Sequence, residues 1–464
     1  MGGQKKYLIT SAQACASPHK NFLSGLEKYA NDREAEIIVL PMIGESAHED
    51  IIERQDKNGV PYGGLHKSFE KYGVEFDKRK LNDNIQIVQF HVRPYQIDPL
   101  TGLSRFAQRE TTQVFASPKQ RVKAIPHSNN QIPKLLVTTG ACTHPNYASG
   151  SDSSAERRRL GNIARGDHTY GALVVEIESE EIFHLRNIRA NNDGKFVDLG
   201  RKYDGNKVSK AELEAIVFGD WHVGYTDPAV KKANYEMIKE LKPKRIFLHD
   251  FFDGHSVSPH RDKKLITEQI MEGVDKNFSS LEQELSDCRD ELIQLDDSMK
   301  GREIYVVASN HHEFLDRYLD EGRFVKDPYN ARFAFRLSTK LSEDKIPIEE
   351  GMKMVGKVPK GVTFLRREED LKIRGFQLGS HGDKGPSGAR SSVNSKENDY
   401  GRSITGHVHS LEVQRDTYIA GTSTPLTIFY NKGNPTSWTN SNILLYETGT
   451  AQFVNVIFGK WRVR

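Results

Sequence analysis

Short apolar runs, bounded by polar, Gly- or Pro-containing stretches, recur along most of the chain, and their periodicity separates strands from helices. Residues 6–14 form a β-rich run, 21–29 follow a helical pattern with Phe22, Leu26 and Tyr29 on one face, and 36–40 are apolar again. This is a β-α-β opening. Strand-like runs recur at 85–90, 135–138, 172–177 and 182–186, so residues 1–190 are expected to form an N-terminal α/β domain. Over 191–212 apolar runs vanish, as in NNDGKFVDLGRKYDGNKVSK, which predicts a linker. Beyond it, 215–218, 245–248 and 303–307 read as short buried-type strands that each end in a polar cluster, with a long helical stretch over about 264–295. The last hundred residues predict strands at 375–378, 418–419, 426–430, 442–446 and 452–457, and the Gly- and Ser-rich segment 379–401 predicts a loop. The fold class expected is α/β, with a second domain over 213–464.

Composition narrows this picture modestly. A hydrophobic fraction of 36% and a charged fraction of 28% suit a globular chain, and 464 residues exceed what one core usually supports. The formal charge of +3 announces no global basic field for nucleic acid. Cys15, Cys142 and Cys288 lie far apart with no metal-ligand spacing, so they are expected to be small hydrophobes in a reducing compartment. No apolar run approaches the ~20 residues of a membrane span, and the start lacks a signal-peptide core. A cytoplasmic protein without membrane association is expected, and homo-oligomerisation is left open.

The polar clusters at the strand ends carry the chemistry. Asp220 and His222 follow the first of the three strands, Asp250 and Asp253 the second, and Asn310, His311 and Glu313 the third. His381 lies in a Ser-His-Gly sequence and His407 and His409 in Gly-His-Val-His, each at a further strand-to-loop junction. Singly each is weak, because the chain has 17 histidines and a D-x-H triplet arises on the order of once by chance.

Their order, D-x-H, D-x-x-D, N-H, H-G and G-H-x-H, resembles the calcineurin-like metallophosphoesterases from about residue 215 to about 426. That resemblance implies a β-sandwich flanked by helices and two divalent ions, most simply Mn²⁺ with Mg²⁺ as the alternative, bridged by Asp250. It implies Asp220, His222 and His409 on one ion and Asn310, His381 and His407 on the other. His311 would face the scissile phosphate as an acid or charge stabiliser, while metal-activated hydroxide attacks phosphorus. Two departures stand out: His249 and Ser309 replace glycines of the pattern. The usual acidic neighbour of His311 is displaced by His312, so Asp253 is expected to orient His311, with Glu313 second.

Peripheral residues bear on the substrate. Lys384 and Arg390 in the loop after His381 would set cations beside the ions, which suits a DNA backbone. Arg157, Arg158, Arg159 and Arg165, and separately Lys119, Arg121 and Lys123, form further basic clusters. The C-terminal stretch is similar to metallophosphoesterases of tailed bacteriophages, among them a nuclease that degrades host DNA, which would put the protein in the host cytoplasm. SbcD-type and double-strand-break-repair nucleases resemble it through the five motifs, although that branch commonly has histidine where Asp253 stands. The run ITSAQACASPHKNFLSGLEKYA followed by AEIIVLP, within residues 9–41, resembles the opening of a nitrilase-type amidase, but Met42 replaces the expected glutamate and no lysine and glutamate partners frame Cys142, so a scaffold or substrate-binding role is expected there. A DNase is the leading reading, with a small-molecule phosphatase or cyclic-nucleotide phosphodiesterase, and a non-catalytic nucleic-acid-binding protein, as the alternatives.

Overall fold

Parallel pairing sets the three motif-bearing strands side by side, Leu213–Val217 on Arg245–Leu248 and that strand on Glu303–Val306. This is a computed structural model, describing residues 4–42, 65–75, 77–90, 92–107, 111–127, 132–147, 154–259, 280–327, 329–342, 344–389, 391–428 and 431–463. The helix Pro228–Leu241 crosses from the first strand to the second. It starts where the Asp227 carboxylate accepts the Ala229 and Val230 amides ahead of Pro228, and it stops at Lys242 in a left-handed turn.

Alternation along each strand decides which layer a residue joins. Ile246 and Leu248 turn toward the helices and pack with Met237, Leu285 and Leu292. Phe247, between them, faces the opposite way and packs with Ile404 and Tyr418 of a second sheet. The molecule is thus an α/β sandwich of two large sheets, 11 and 10 strands wide among the described residues.

Both sheets run without a break from residues of 1–190 to residues of 213–464. The strand Phe183–Arg189 pairs with Ala451–Asn455 in one sheet, and Arg121–Ile125 pairs with Glu412–Gln414 in the other. The stretch 191–212, expected as a linker, instead holds the strands Phe196–Asp198, Arg201–Asp204 and Lys207–Lys210 in a small antiparallel sheet. Each strand is too short to raise a run of apolar residues. Its hold on the core comes from the buried, stacked rings of Phe196 and Tyr203, 5.0 Å apart, and from Asp198.

Asp198 accepts from Arg186 Nε at 2.6 Å and from Gln452 at 2.9 Å, and Arg186 also reaches Glu176 at 2.8 Å. All of these side chains are buried. Two other expectations need correction, and a third lies partly outside the described residues. Segment 379–401 is not all loop: the helix Val393–Tyr400 begins with a reciprocal Ser392 and Ser395 cap, its buried side resting on Val393 and a lysine that no apolar pattern reveals. Residues 426–428 form no strand, and 429–430 lie outside the described residues. The helix expected from about 264 is described as Leu281–Met299, the stretch 260–279 lying outside the described residues. Among the described residues no helix is long and apolar enough to cross a membrane.

Arg186→Met should lower the unfolding free energy by ~3–5 kcal/mol, because it leaves the Glu176 and Asp198 carboxylates buried without their cation. Chemical denaturation of the variant beside the wild type checks this, and an unchanged midpoint would contradict it.

Candidate active site

The pairing of the central strands continues past their ends and carries the motif residues with it. The backbone amides of Trp221, His222 and Val223 donate to the carbonyls of His249, Asp250 and Phe251 at 2.8–3.0 Å. Asp220 bridges in parallel to Thr422, which ties the first motif to the segment after the last. Four residues of the site, His222, Asp250, His407 and His409, hold left-handed backbone with φ of 46°, 43°, 79° and 58°. Such backbone costs ~1–3 kcal/mol per non-glycine residue and persists where the surroundings over-determine it. Gly406 is required by close approach, since a Cβ there would lie 2.1 Å from Asp220 Oδ1.

Two donor groups share one carboxylate. Asp220, His222, Asp250 and His409 converge on one point, and Asp250, His381 and His407 on a second. Asp220 Oδ2 lies 3.0 Å from His409 Nε2 and accepts the His407 backbone N–H at 2.8 Å. Asp250 Oδ2 lies 3.2 Å from His381 Nε2 and 3.7 Å from His222 Nε2. The His222 and His409 Nε2 atoms face each other at 3.1 Å. Burial opposes the Asp250 charge, yet the His381 and His311 rings outweigh it and hold the carboxyl well below the usual range. Burial likewise disfavours a charged His407 and pushes its ring down to about 4, as ligation requires.

The residues present fit a pair of divalent cations. Asp220 Oδ1, Asp250 Oδ1 and Asn310 Oδ1 are all buried without a hydrogen-bond partner. Orphaned oxygens of this kind are costly unless a cation answers them. Asp220, His222 and His409 could hold one ion, and His381, His407 and Asn310 the other, with Asp250 between them. Mixed carboxylate, carboxamide and imidazole donors are of the kinds that hold divalent metal ions.

The orienting groups differ from those expected. The Asp253 carboxylate does not hold His311: it accepts from His222 Nδ1 at 2.8 Å and stands 3.9 Å from His311 Nδ1. Its charge, with Asp250 and Asp220, lifts His222 to about 9 although burial pushes the other way. His311 Nδ1 instead donates to the Asp253 backbone carbonyl at 2.5 Å, and its ring meets His222 edge-on at 4.8 Å. Glu313 turns away, toward Arg317, Arg367 and Lys384. A carboxylate next to a ligand is readable in sequence, but which of its oxygens or carbonyls a neighbour uses is not.

Two residues of the site escaped the sequence reading. His249, buried and pushed down to about 3 by burial and the neighbouring His381, sets its Nδ1 3.3 Å from His381 Nδ1. Were His381 Nε2 to ligate an ion, its Nδ1–H would be the donor and neutral His249 the acceptor. The glycine-to-histidine departure was the signal for it. Trp438 packs edge-on against His409 with centroids 4.3 Å apart, and no motif marks it.

The peripheral cations are less available than expected. Lys384 is ion-paired to Glu313 at 2.5 Å, so a phosphate must compete with a carboxylate for it. Arg390 lies outside the described residues. Lys119 and Arg121 form no basic face: they are buried, Lys119 against Asp167 at 2.5 Å and Arg121 near Asp98 and Glu412 at 3.4 Å. Arg157, Arg159 and Arg165 remain exposed on the helix Ala155–Gly166, with Arg158 half-buried. Cys142 is buried and its thiol is pushed up to about 12 by that burial, which makes it no nucleophile, whereas Cys15 is exposed.

A buried carboxylate shared by two imidazole-rich donor groups at the mouth of an α/β sandwich fits a metal-dependent phosphoesterase. Compared with known proteins, the chain is 27% identical over 492 residues to Protein A1 of Escherichia phage T5, spanning 98% of this chain and 83% of that protein. Among solved structures, Vps29 of Chaetomium thermophilum matches at 9% identity and a TM-score of 0.23, covering 44% of this chain and 96% of that one. No family model matches.

His249→Ala should weaken the ion held by His381 and His407 by ~10–100-fold and spare the other, the usual cost of losing a partner that orients a ligand. Asp250→Asn, by contrast, should weaken both. Calorimetric titration with Mn²⁺ distinguishes the two, and equal losses in both sites of the alanine variant would contradict the arrangement.

Proposed function

We propose that the chain is a two-ion phosphodiesterase that cleaves DNA and works best with Mn²⁺. The observation that carries the reading is Asp250, whose buried carboxylate belongs to both donor groups at once. Two ions so held would supply charge neutralisation at the phosphate and lower the pKa of water. The similarity to a phage protein over 98% of this chain supports a phage-encoded enzyme, acting in the host cytoplasm.

His311 supplies the proton chemistry in this reading. A backbone carbonyl can only accept, so Nδ1 must carry a hydrogen, and Nε2 is the nitrogen that, in the doubly protonated ring, can hand its proton to the leaving oxygen and leave the ring neutral. Asp253 acts one step back: its carboxylate steadies His222 and its carbonyl steadies His311. Its role is positioning rather than acid–base chemistry. Imidazole and carboxamide donors beside carboxylates favour Mn²⁺ over Mg²⁺, which prefers oxygen and water.

Incubating the purified chain with circular and linear DNA, in Mn²⁺ and in Mg²⁺, tests the reading. Cleavage in Mn²⁺ that exceeds cleavage in Mg²⁺ is expected. Turnover of small monoesters with no cleavage of DNA would replace the reading with a small-molecule phosphatase. His311→Ala should lower turnover by ~10²–10⁴-fold with both ions still bound. Loss of an ion in that variant, seen by elemental analysis, would make His311 a ligand instead.

A further inference from the structure

The segment that follows His311 leads to a surface of unusual composition. Residues 322–342 carry five cations, Arg323, Lys326, Arg332, Arg336 and Lys340, and one carboxylate, Asp327. Asp327 is used locally, accepting from the Tyr318 hydroxyl and Asn330 Nδ2, both at 2.9 Å. Among the described residues Lys326, Arg332, Arg336 and Lys340 are held in no ion pair. The helix Ala331–Ser338 turns Phe333, Ala334 and Leu337 inward and leaves Arg332, Phe335 and Arg336 in water. Phe335 is 61% exposed and Tyr329, just before the helix, 80%.

Unpaired cations could be a solvated face, and a lone exposed ring is ordinary. Together they are a recognisable chemistry. Guanidinium groups answer phosphates, and flat apolar rings answer the faces of unpaired bases. Duplex DNA hides those faces in its own stack, and an acidic peptide would use the cations but leave the rings idle. The surface is also firmly mounted. Asn330, buried at the head of the helix, accepts the Leu281 backbone N–H at 2.7 Å and reaches the Ser256 carbonyl at 3.5 Å, in the loop that carries Asp253.

We infer that this face binds single-stranded DNA, bases stacking on Tyr329 and Phe335 and phosphates pairing with Arg332 and Arg336. It rests on the nuclease reading for the choice of DNA, and it adds a track on the outer helical surface on which an unpaired strand is held.

The test uses the Mn²⁺-loaded protein and a fluorescent phosphorothioate oligodeoxythymidylate, which resists hydrolysis. Tyr329→Ala with Phe335→Ala should weaken binding ~10-fold or more. Tyr329→Phe with Phe335→Tyr keeps both rings and should bind as the wild type does. Arg332→Gln with Arg336→Gln should reduce the slope of log affinity against log salt by ~1–2. All of these variants should hydrolyse a small chromogenic phosphodiester at the wild-type rate, since the substitutions lie on the surface away from the ligands. If the wild type cleaves DNA and the alanine pair binds the oligonucleotide equally well, the track is overturned and the nuclease reading stands. If the wild type hydrolyses the chromogenic diester yet neither binds nor cuts DNA, the nuclease reading falls and the track with it. A change in sedimentation of the alanine pair with unchanged oligonucleotide affinity would make the face a contact between copies of the chain, which also overturns the proposal.

Discussion

Three carboxylates, Asp220, Asp250 and Asp253, crowd one mouth of the sandwich; Asp220 and Asp250 are buried and Asp253 largely so. Charges of one sign so close, out of water, are tolerable only where cations or hydrogen-bond donors answer them. Imidazoles answer part of this: His409 meets Asp220, His381 meets Asp250, and His222 meets Asp253. The Oδ1 atoms of Asp220 and Asp250 stay unanswered by protein. That residual demand for positive charge fits a cation centre better than an ordinary polar core, and the surrounding architecture holds the cluster in place.

Holding such a cluster takes a frame that does not yield. The left-handed turns at His222, Asp250, His407 and His409 would relax if the backbone around them could move. They are fixed because the pairing of the central strands runs on through the motif residues, and because the second sheet closes on them through Gly406 and Thr422. Sheets that continue into residues 1–190 widen that frame. The N-terminal half supplies strands to both sheets, and burial pushes the thiol of Cys142, next to one of its strands, up to about 12.

The departures from the metallophosphoesterase pattern become intelligible in the same frame. His249 stands where a glycine was expected and gives His381 a neutral acceptor for its second ring nitrogen. Ser309, at the other substituted glycine, accepts the His312 amide at 3.4 Å and so helps start the helix His312–Asp320. Both changes add a hydrogen bond beside a ligand and leave the ligand types alone. They are local adjustments to how firmly the donors are aimed.

Much of this was legible in the sequence, for reasons that are local. The strands Leu213–Val217 and Arg245–Leu248 declare themselves as apolar runs, and the ligand-type residues follow them directly because the chain must leave the sheet there. The partition of Asp220, His222 and His409, and of Asn310, His381 and His407, about Asp250 was implied by the family resemblance, and the structure brings the histidines and aspartates of that set into two groups that share Asp250. What the sequence could not determine depends on contacts between distant segments. The stretch 191–212 reads as a linker because two of its strands bury one ring each and the third is mostly exposed, and its anchoring is seen only in tertiary contacts such as the Arg186–Asp198 pair. The partner of His311 is a backbone carbonyl, which every residue possesses, so no residue type could announce it. Lys119 and Arg121 look like a solvated basic patch until the end of the helix Ala155–Gly166 brings Asp167, and sheet pairing brings Glu412, to them. Residue identity determines which chemistry is within reach, but only the packing of remote strands decides which charge meets which.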